Sequence, residues 1–433
     1  MKKILLAGNE IAGHYTGLSK GFEALGIPHA LGSVPNKFNY EGDYLKPWVL
    51  RLHSFLANKR ATTLRKHIIR KIFFILAHEL LSALIPFWVI SRFDVVMFCF
   101  AKTYTDSPWE LWLYKKFGVK IVVTFHGSDA RPQYISGHNF PIGEPVNWEL
   151  MKSQVEETYN KIKIIEKYAD VITAYPAISH FFTKPFINFN LLGNPVIMPS
   201  NAPSRFREAS TNENSTIILH APSAPIPKGS NEIRKIIQDL KLAGLNIELK
   251  ELVDVPNRLV HEALAQADIV VDSMWNDCPA GTFPAEGLHW HMPVVIGSYF
   301  AEAYPAYVSE HLLTPPYVFC PPSKVAENLE RLIRDKSLRA NLSDAAKKYV
   351  ESDGSLKSIA EKYLQCINGN APLEWYCNPL EVTYLFGYGA PKEYIKSLVR
   401  GYIERYGVSS LCLSHRPELE KAFVEFSEME FNN

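Results

Sequence analysis

The sequence has few features that would place the protein in a special environment. Its six cysteines form no C-x-x-C pair and no spacing typical of a disulfide framework, so we expect reduced thiols in a reducing compartment. Lysine and arginine number 46 against 45 aspartate and glutamate, a formal net charge of +1, which gives no indication of nucleic-acid binding. The sequence shows no internal repeat and no low-complexity segment. We therefore expect a folded, cytoplasmic protein that binds any anion through locally placed charges.

A long uninterrupted hydrophobic run is also lacking. The apolar N-terminus resembles a signal peptide for only six residues before Gly8 and the polar residues after it, so we interpret residues 3–7 as a first buried strand. Residues 68–90 are apolar but contain charged residues and Pro86, and a charge at the centre of a bilayer is costly. The sequence thus argues against a membrane-spanning helix.

Short apolar strands alternate with helical patterns along most of the chain. Hydrophobic residues make up 47% of the 433 residues and charged residues 21%, which indicates a folded chain too long for one ordinary core. Apolar strands separated by helices are typical of parallel sheets covered on both faces. We predict such strands at 3–7, 29–34, 94–100, 120–125, 170–174, 215–220, 246–252, 268–272 and 293–297. The fold class expected is α/β, with two doubly wound Rossmann-like domains facing each other across a cleft.

The second half of the chain places polar groups where strands give way to helices. Lys228 lies in a proline- and glycine-rich loop after the strand 215–220, and Glu286 lies in a helix that opens at Thr282. Ligands of parallel sheets bind outside the carboxyl ends of the strands. Lys228 and Glu286 are therefore candidate ligand-binding residues. For Glu286 the alternative is a helix-terminal acidic residue that only complements the helix dipole.

The first half begins with a glycine-spaced turn that contains Gly8, Gly13 and Gly17. This spacing is not G-x-G-x-x-G, so it is weak evidence for a dinucleotide site. The alternative is that the glycines only permit a tight turn between the first strand and the first helix.

A second candidate group in this half is His126, which follows the strand 120–125 on a loop with Gly127 and Asp129. An imidazole can donate to a hydroxyl or a phosphate oxygen and can carry charge near neutral pH. The alternative is a histidine that only satisfies local backbone groups.

Residues 59–76 combine basic and apolar side chains at helical spacing. Lysines and arginines recur every three to five residues from Lys59 to Lys71, and isoleucine, leucine and phenylalanine fill the gaps. Such a basic amphipathic segment can lie on an anionic membrane surface or face a lipid-linked anionic acceptor. The alternative is a core-packed helix with a solvated face.

Three segments carry a resemblance to a known family. They are residues 126–129 (His-Gly-Ser-Asp), residues 220–230 (His-Ala-Pro-Ser ahead of Lys-Gly-Ser), and residues 281–295 (Gly-Thr-Phe-Pro-Ala-Glu through Pro-Val-Val). In order and separation they resemble the retaining nucleotide-sugar glycosyltransferases of the GT-B fold, most closely family four. The resemblance covers roughly residues 1–365. It implies an N-terminal acceptor domain at 1–200, a nucleotide-sugar donor domain at 201–365, and a helical extension at 366–433 that partly crosses back onto the first domain.

The resemblance also implies roles for individual residues. Lys228 would hold the pyrophosphate of the donor, Glu286 would bond the ribose hydroxyls, and His126 would contact the donor sugar or its phosphate. A positioned ammonium stabilises the charge that builds on the departing diphosphate. The further substrate-binding residues implied are Gly13, Asp129, Gly229, Ser230, Val253, Arg258, Gly281, Thr282 and Phe283.

The activity implied is transfer of a hexose-type sugar from a UDP- or GDP-sugar to a glycan or lipid-linked glycan. Configuration would be retained, and the product would serve surface polysaccharide biosynthesis. The family is described as metal-independent, so we expect no metal and no cofactor. The expected partners are the donor, the acceptor and, through residues 59–76, the inner face of a membrane.

Two departures from the family keep an alternative open. The family often has a glutamate eight positions before the one matched by Glu286, and Cys278 stands there beside Asp277. The family usually has an arginine shortly before the lysine, and residues 223–227 supply none. Pyrophosphate would then need a basic group from elsewhere, such as Arg258 or Arg205. These departures favour, as the alternative, a degenerate protein that binds nucleotide sugars or glycans without catalysis. A nucleotide-sugar epimerase is a third option.

Residues 371–433 go beyond the family core. They are rich in aromatic residues and have helical patterns near 392–406 and 417–426. We interpret them as a helical appendage packed on the body of the protein. Its role as a dimer contact or as a wall on the acceptor side stays open at this point.

Overall fold

The strands of the protein fall close to where the sequence predicts them. The computed structural model describes residues 2–32, 47–64, 67–199, 215–279, 281–309, 312 and 314–430. The strands of this part are β1 (Ile4–Gly8), β2 (His29–Leu31), β3 (Val95–Cys99), β4 (Lys120–Thr124), β5 (Val171–Ala174), β6 (Phe186–Asn188), β7 (Thr216–His220), β8 (Ile247–Glu251), β9 (Ile269–Val271), β10 (Val294–Gly297), β11 (Val318–Cys320) and β12 (Tyr376–Cys377). The nine predicted strands are present, and β6, β11 and β12 are additional.

The helices separate these strands as expected for an α/β chain. They are α1 (His14–Ala24), α2 (Trp48–Thr62), α3 (Ile68–Ile90), α4 (Pro108–Lys116), α5 (Trp148–Tyr168), α6 (Phe189–Leu192), α7 (Pro225–Lys228), α8 (Ser230–Leu242), α9 (Asn257–Leu264), α10 (Thr282–His289), α11 (Val325–Arg334), α12 (Lys336–Glu351), α13 (Leu356–Asn368), α14 (Lys392–Tyr406) and α15 (Pro417–Glu428). A 3-10 turn forms at Pro176–Ile178. Residues 33–34 of the predicted second strand lie outside the described residues.

The contacts divide the chain into two compact units. Unit 1 comprises residues 1–126, 163–173 and 356–371, and unit 2 comprises residues 127–162, 174–355 and 372–433. The predicted domain boundaries stay a prediction.

Unit 1 is built on a parallel sheet in the order β5-β4-β3-β1-β2. Its strands are apolar and fully buried along most of their length, for example from Val95 to Cys99. Burial on both faces explains why they lack the alternation of half-buried strands. Helix α13 packs against α1, where a Cβ on Gly21 would lie 2.3 Å from the carbonyl oxygen of Leu356. Because β1, β3 and β4 run parallel, their carboxyl ends meet at one edge of the sheet.

Unit 2 contains a second parallel sheet in the order β11-β10-β9-β7-β8. One face packs on α8 and α11 through residues such as Ile233 and Leu329. The other face packs on α9, α10 and α12 through Val260, Leu288 and Ala346. Both faces are therefore covered by helices, as a doubly wound sheet requires. In the same unit β6 and β12 pair antiparallel.

The C-terminal segment packs on residues 133–139 within unit 2. Tyr388 and Ile135 are joined by a backbone hydrogen bond of 3.1 Å, and Gly137 donates to the Tyr388 carbonyl at 2.8 Å. The Tyr134 ring packs against Tyr402 of α14, with ring centroids 5.4 Å apart. The predicted helical extension is confirmed, and it is packed on the body of unit 2.

Helices α2 and α3 form an antiparallel hairpin in unit 1. Its inner face is fixed by polar contacts, including a hydrogen bond of 3.0 Å between His53 and Ser82. Ile85, Pro86 and Val89 of α3 are buried. Among the described residues α3 is the one helix long and apolar enough, by length and composition, to cross a membrane. Much of its apolar surface is exposed.

Candidate functional site

Lys228 is held at the carboxyl edge of the unit 2 sheet. Its Nζ donates to both carboxylate oxygens of Asp272, at 2.8 and 2.9 Å, and Asp272 directly follows β9. Ser273 and Asn276 also donate to Asp272, so this carboxylate is fixed from several sides. Burial alone would lower the pKa of Lys228, but the Asp272 charge outweighs it and raises the pKa. A permanently charged ammonium therefore stands at the position predicted for pyrophosphate binding.

The turn after Lys228 brings a helix N-terminus to the same edge. Gly229 has a left-handed conformation, φ 70°, and a Cβ there would lie 2.7 Å from the Met274 side chain. This close approach requires glycine. Among the described residues no side chain caps the start of α8 or of α10. Their first-turn N–H groups can therefore bind an anion.

Ser230 has a structural partner instead of a free hydroxyl. The Nδ1 of His220 lies 3.0 Å from the Val271 carbonyl, which can only accept, so Nδ1 carries the hydrogen. The Nε2 of His220 then accepts from the Ser230 hydroxyl at 2.8 Å. In this geometry Ser230 offers a ligand its backbone N–H.

Arg131 is a second cation near Lys228, and no sequence motif indicated it. Its Nε donates to Asp277 at 2.7 Å, and its guanidinium lies 4.5 Å from the centre of the Tyr388 ring. Burial would lower the pKa of Arg131, but Asp277 raises it overall. Burial raises the pKa of Tyr388, and the charge of Lys228 opposes this rise. Partial desolvation, followed by the charges of Arg131 and Lys228, lowers the pKa of His138. The two cations therefore share one neighbourhood around Tyr388.

Glu286 lies in α10 and is buried together with partners from α9. Its Oε1 accepts from the Asn257 amide at 2.6 Å. The Trp290 indole donates to Nδ1 of His261 at 2.9 Å, which places the hydrogen of a neutral His261 on Nε2. That nitrogen lies 3.7 Å from Glu286 Oε1, too far for a hydrogen bond. Among the described residues Oε2 of Glu286 accepts no hydrogen bond, so it can receive a ligand hydroxyl.

The other predicted residues of unit 2 are more dispersed. Asp129 is buried and accepts from its own loop, the Gly127 N–H, at 2.8 Å. Val253 is exposed on the loop after β8. Arg258 is 76% exposed and pairs with Glu262 on the same helix. Residues 281–283 begin α10. Their ligand-binding roles stay predictions, and Arg205 lies outside the described residues.

In unit 1 the predicted His126 is half-buried and lies against the buried His14. Its Nε2 lies 3.2 Å from the Cys99 sulfur, and its ring centroid is 5.0 Å from that of His14. Burial lowers the pKa of His126 to about 3. The Nε2 of His14 lies 3.0 Å from the Tyr363 hydroxyl. Both histidines are therefore neutral at physiological pH, and the role predicted for His126 stays a prediction.

The glycine-spaced turn has a structural reason. Gly8 has φ 90°, and a Cβ there would lie 2.5 Å from the Cys99 carbonyl oxygen. Gly13 is left-handed, with φ 78°, and precedes α1. The buried Glu10 accepts from the N–H groups of Tyr15 and Thr16 at 3.0 and 3.1 Å. A protein carboxylate therefore occupies the start of α1.

A cavity of about 760 Å³ lies in unit 1 between the strand ends and the α2–α3 hairpin. Asn9 follows β1 on one side, and Arg60 and Lys71 line the hairpin side together with His78. Burial, followed by the Arg60 charge, lowers the pKa of His78. The cavity is polar enough to receive hydroxyl-bearing or anionic groups.

Comparison with known proteins finds a likeness in fold. No family model matches the chain, and no curated protein matches it in sequence. The catalytic domain of starch synthase IV from Arabidopsis thaliana, bound to ADP and acarbose, aligns with a TM-score of 0.50 at 10% identity, over 86% of this chain and 99% of that one. HepE from Anabaena in complex with UDP-glucose aligns with a TM-score of 0.45 at 13% identity, over 85% and 100%. A trehalose-6-phosphate synthase aligns with a TM-score of 0.45 at 11% identity, over 84% and 99%.

These findings define the class of fold. The two parallel α/β units and the likeness to the starch synthase domain establish a GT-B fold, which consists of two Rossmann-like domains. The helices after residue 390 form its C-terminal extension. The predicted fold class is confirmed.

Proposed function

We propose that this chain is a glycosyltransferase that binds a nucleotide-sugar donor in unit 2. The observation that carries the proposal is the pair of cations at the edge of the unit 2 sheet. Lys228 and Arg131 are each held by a buried carboxylate, and the uncapped start of α8 follows Lys228 directly. Fixed cations and helix N–H groups are what a diphosphate leaving group requires.

In this proposal Arg131 takes the place of the arginine that residues 223–227 lack. Asp272 and Asp277 orient the two cations and limit their movement. The site is thus organised before the donor binds, so less reorganisation is needed when negative charge develops on the leaving diphosphate. Glu286 receives the ribose hydroxyls through Oε2, because Asn257 already holds Oε1.

The finer activity is transfer of a hexose-type sugar from a UDP- or GDP-sugar to a glycan or lipid-linked glycan, with retention and without a metal. The leaving diphosphate assists deprotonation of the acceptor. The unit 1 cavity, lined by Lys71 and by the ion pairs Arg60–Glu79 and Lys102–Asp106, supports binding of a polar acceptor. Surface polysaccharide biosynthesis at the inner face of a membrane is the setting we propose.

The test is binding and turnover by the native protein and by two variants. We expect calorimetry to detect UDP or GDP, and a panel of nucleotide sugars to yield turnover with one donor. Lys228→Ala and Glu286→Ala should each lower turnover by roughly 10²-fold or more, the scale of one lost transition-state contact. Lys241→Ala, which removes an exposed lysine from the last turn of α8, is the matched control and should leave turnover unchanged. Unchanged turnover in both site variants would contradict the proposed roles.

The second candidate function is binding of a nucleotide sugar without catalysis. Cys278 favours it, because burial raises the pKa of this thiol and keeps it neutral where the family often has a glutamate. Binding of UDP or GDP without turnover of any donor in the panel would support this candidate. Turnover with any donor would exclude it.

A further inference from the structure

An exposed apolar stripe runs along α3 in unit 1. Its members are exposed and recur every three or four residues: Ile69, Ile72, Phe73, Leu76, Leu80, Leu84 and Phe87. At 1.5 Å per residue the stripe is roughly 27 Å long. A contiguous apolar surface of this extent is typical of an interaction site.

The neighbouring helices extend this stripe into a surface. The exposed large apolar side chains of α2 are Trp48, Leu52 and Phe55. Helix α4 adds the exposed Trp109, whose ring centroid lies 6.3 Å from that of Phe87. We call the exposed side chains of α2, α3 and α4 the α2–α4 surface.

The α2–α4 surface is strongly basic, although the whole chain has a net charge of only +1. The three helices contain two carboxylates, and Glu79 is bonded by Arg60 while Glu110 is buried. The same helices carry seven cations: Arg51, Arg60, Arg70, Lys115 and Lys116 are exposed, Lys59 and Lys71 are half-buried, and Lys115 pairs with Asp170. The positive charge is therefore local to these helices.

Cations and aromatic rings lie side by side on these helices. Lys116 Nζ lies 4.9 Å from the centre of the Trp112 ring, and Lys59 Nζ lies 5.4 Å from that of Phe55. Amphipathic aromatic rings and long basic side chains are the residues that favour the boundary between lipid and water.

We propose that the α2–α4 surface is a docking surface for an anionic lipid bilayer, on which the protein lies without crossing it. The apolar stripe enters the boundary region, and the surrounding cations pair with anionic headgroups. A second copy of this chain fits less well, because an isologous contact would bring the basic surfaces of the two copies together and their positive charges would repel.

The packing of α3 argues for a peripheral position. Its inner face contains Ser82, Ile85 and Val89, all buried in unit 1. Arg60 of α2 is paired with Glu79 of α3. Crossing the bilayer would expose these packed and charged groups to hydrocarbon.

The inference deepens the membrane setting of the proposed function, but it does not rest on the proposed transferase chemistry, since it concerns a surface. The first experiment is flotation of the full-length protein with vesicles. We expect co-flotation with phosphatidylcholine and phosphatidylglycerol mixed in equal parts, loss of it with phosphatidylcholine alone, and weakening as salt is raised. Equal behaviour with both vesicles, or no flotation, would overturn the proposal.

Variants separate the apolar and the charged contributions. The apolar contribution is tested by the triple variant Ile69→Gln/Phe73→Gln/Leu80→Gln, which should abolish co-flotation. The charged contribution is tested by the double variant Arg70→Gln/Lys116→Gln. This double variant should lower the partition coefficient roughly 25-fold, about fivefold for each cation. The matched control is Leu242→Gln/Leu373→Gln, which changes two leucines that are 79% and 89% exposed in unit 2, and it should float like the native protein. Native flotation of the triple variant would overturn the proposal.

Two further readouts test the occupant of the surface. We expect alkaline carbonate to release the vesicle-bound protein, and retention would contradict the peripheral position. Size-exclusion chromatography should give the same oligomeric state for the native protein and the triple variant. A native oligomer that the triple variant dissociates would assign the surface to a second copy and overturn the proposal.

Discussion

At the scale of single residues, two ion pairs with buried carboxylates stand out in unit 2. Lys228 pairs with Asp272, and Arg131 pairs with Asp277. Removing two opposite charges from water costs free energy that their attraction only partly returns. Such pairs therefore contribute little to stability. Their position near Tyr388 supports the proposal that the two cations bind an anionic ligand.

The Arg131 pair gives a stability prediction. Arg131→Met leaves the buried Asp277 carboxylate without its partner, so the free energy of unfolding should fall by roughly 3–5 kcal/mol. Urea denaturation measures it. The control is Arg258→Met, which removes an exposed pair on one helix turn and should cost less than about 1 kcal/mol. Equal effects of the two substitutions would refute the buried character of the first pair.

Much of the candidate site was predictable from the sequence, but not its second cation. Lys228 and Glu286 stand in loops and helix starts after apolar strands, so the rule that ligands bind at strand ends finds them. Arg131 is almost a hundred residues before Lys228, and Tyr388 lies in the appended segment. Only the tertiary fold brings such residues together, so spacing in the sequence carries no signal of it.

At the scale of elements, the central strands were predictable because burial on both faces makes them continuously apolar. β6, β11 and β12 were missed, since segments of two or three residues carry no pattern that distinguishes them from loops. The helical character predicted for residues 59–76 is confirmed for 59–62 and 68–76, but these residues belong to two helices, since α2 ends at Thr62 and α3 begins at Ile68. The exposure of their apolar side chains could not be predicted, because a core-packed helix has the same composition.

The contact of α1 with α13 gives a prediction at this scale. A Cβ on Gly21 would lie 2.3 Å from the Leu356 carbonyl oxygen and 2.8 Å from the Ala360 Cβ. Gly21→Ala should therefore push α13 away and lower the free energy of unfolding by roughly 1–3 kcal/mol, despite the higher helix propensity of alanine.

Thermal or chemical unfolding measures this effect. Glu23→Ala on the exposed side of α1 is the control, with an expected change within about 0.5 kcal/mol. A stabilising Gly21→Ala would show that the two helices do not approach this closely.

At the scale of the whole molecule, neutral histidines that are buried or half-buried contribute to the response to acid. Burial lowers the pKa of His126 and His180 to about 3 and that of His289 to about 4. In the unfolded chain a histidine titrates near 6.5. Between the folded-state pKa and 6.5 the unfolded state binds more protons than the folded state. The stability that these neutral histidines contribute is therefore fully present above pH 6.5 and is lost as the pH decreases.

The expected slope is about 1.4 kcal/mol per pH unit for each such histidine. Glu110 opposes this trend, because burial raises its pKa and the folded state then binds more protons than the unfolded state at this one group. Urea denaturation from neutral pH to about pH 5 measures the slope, and His289→Gln should reduce it by one histidine's share. A flat profile over this range would contradict the neutral state of these rings.

The backbone pairing of Ser136 with Tyr388 has a consequence for biosynthesis. The two residues are 252 positions apart in the chain, and translation at about 5–20 residues per second needs roughly 13–50 s to cover that distance. Residues 133–139 emerge from the ribosome long before their permanent neighbours exist. During that interval a nascent polypeptide has Arg131 but not the Tyr388 ring against which its guanidinium lies, so the surroundings of Arg131 are completed only after Tyr388 has been synthesised.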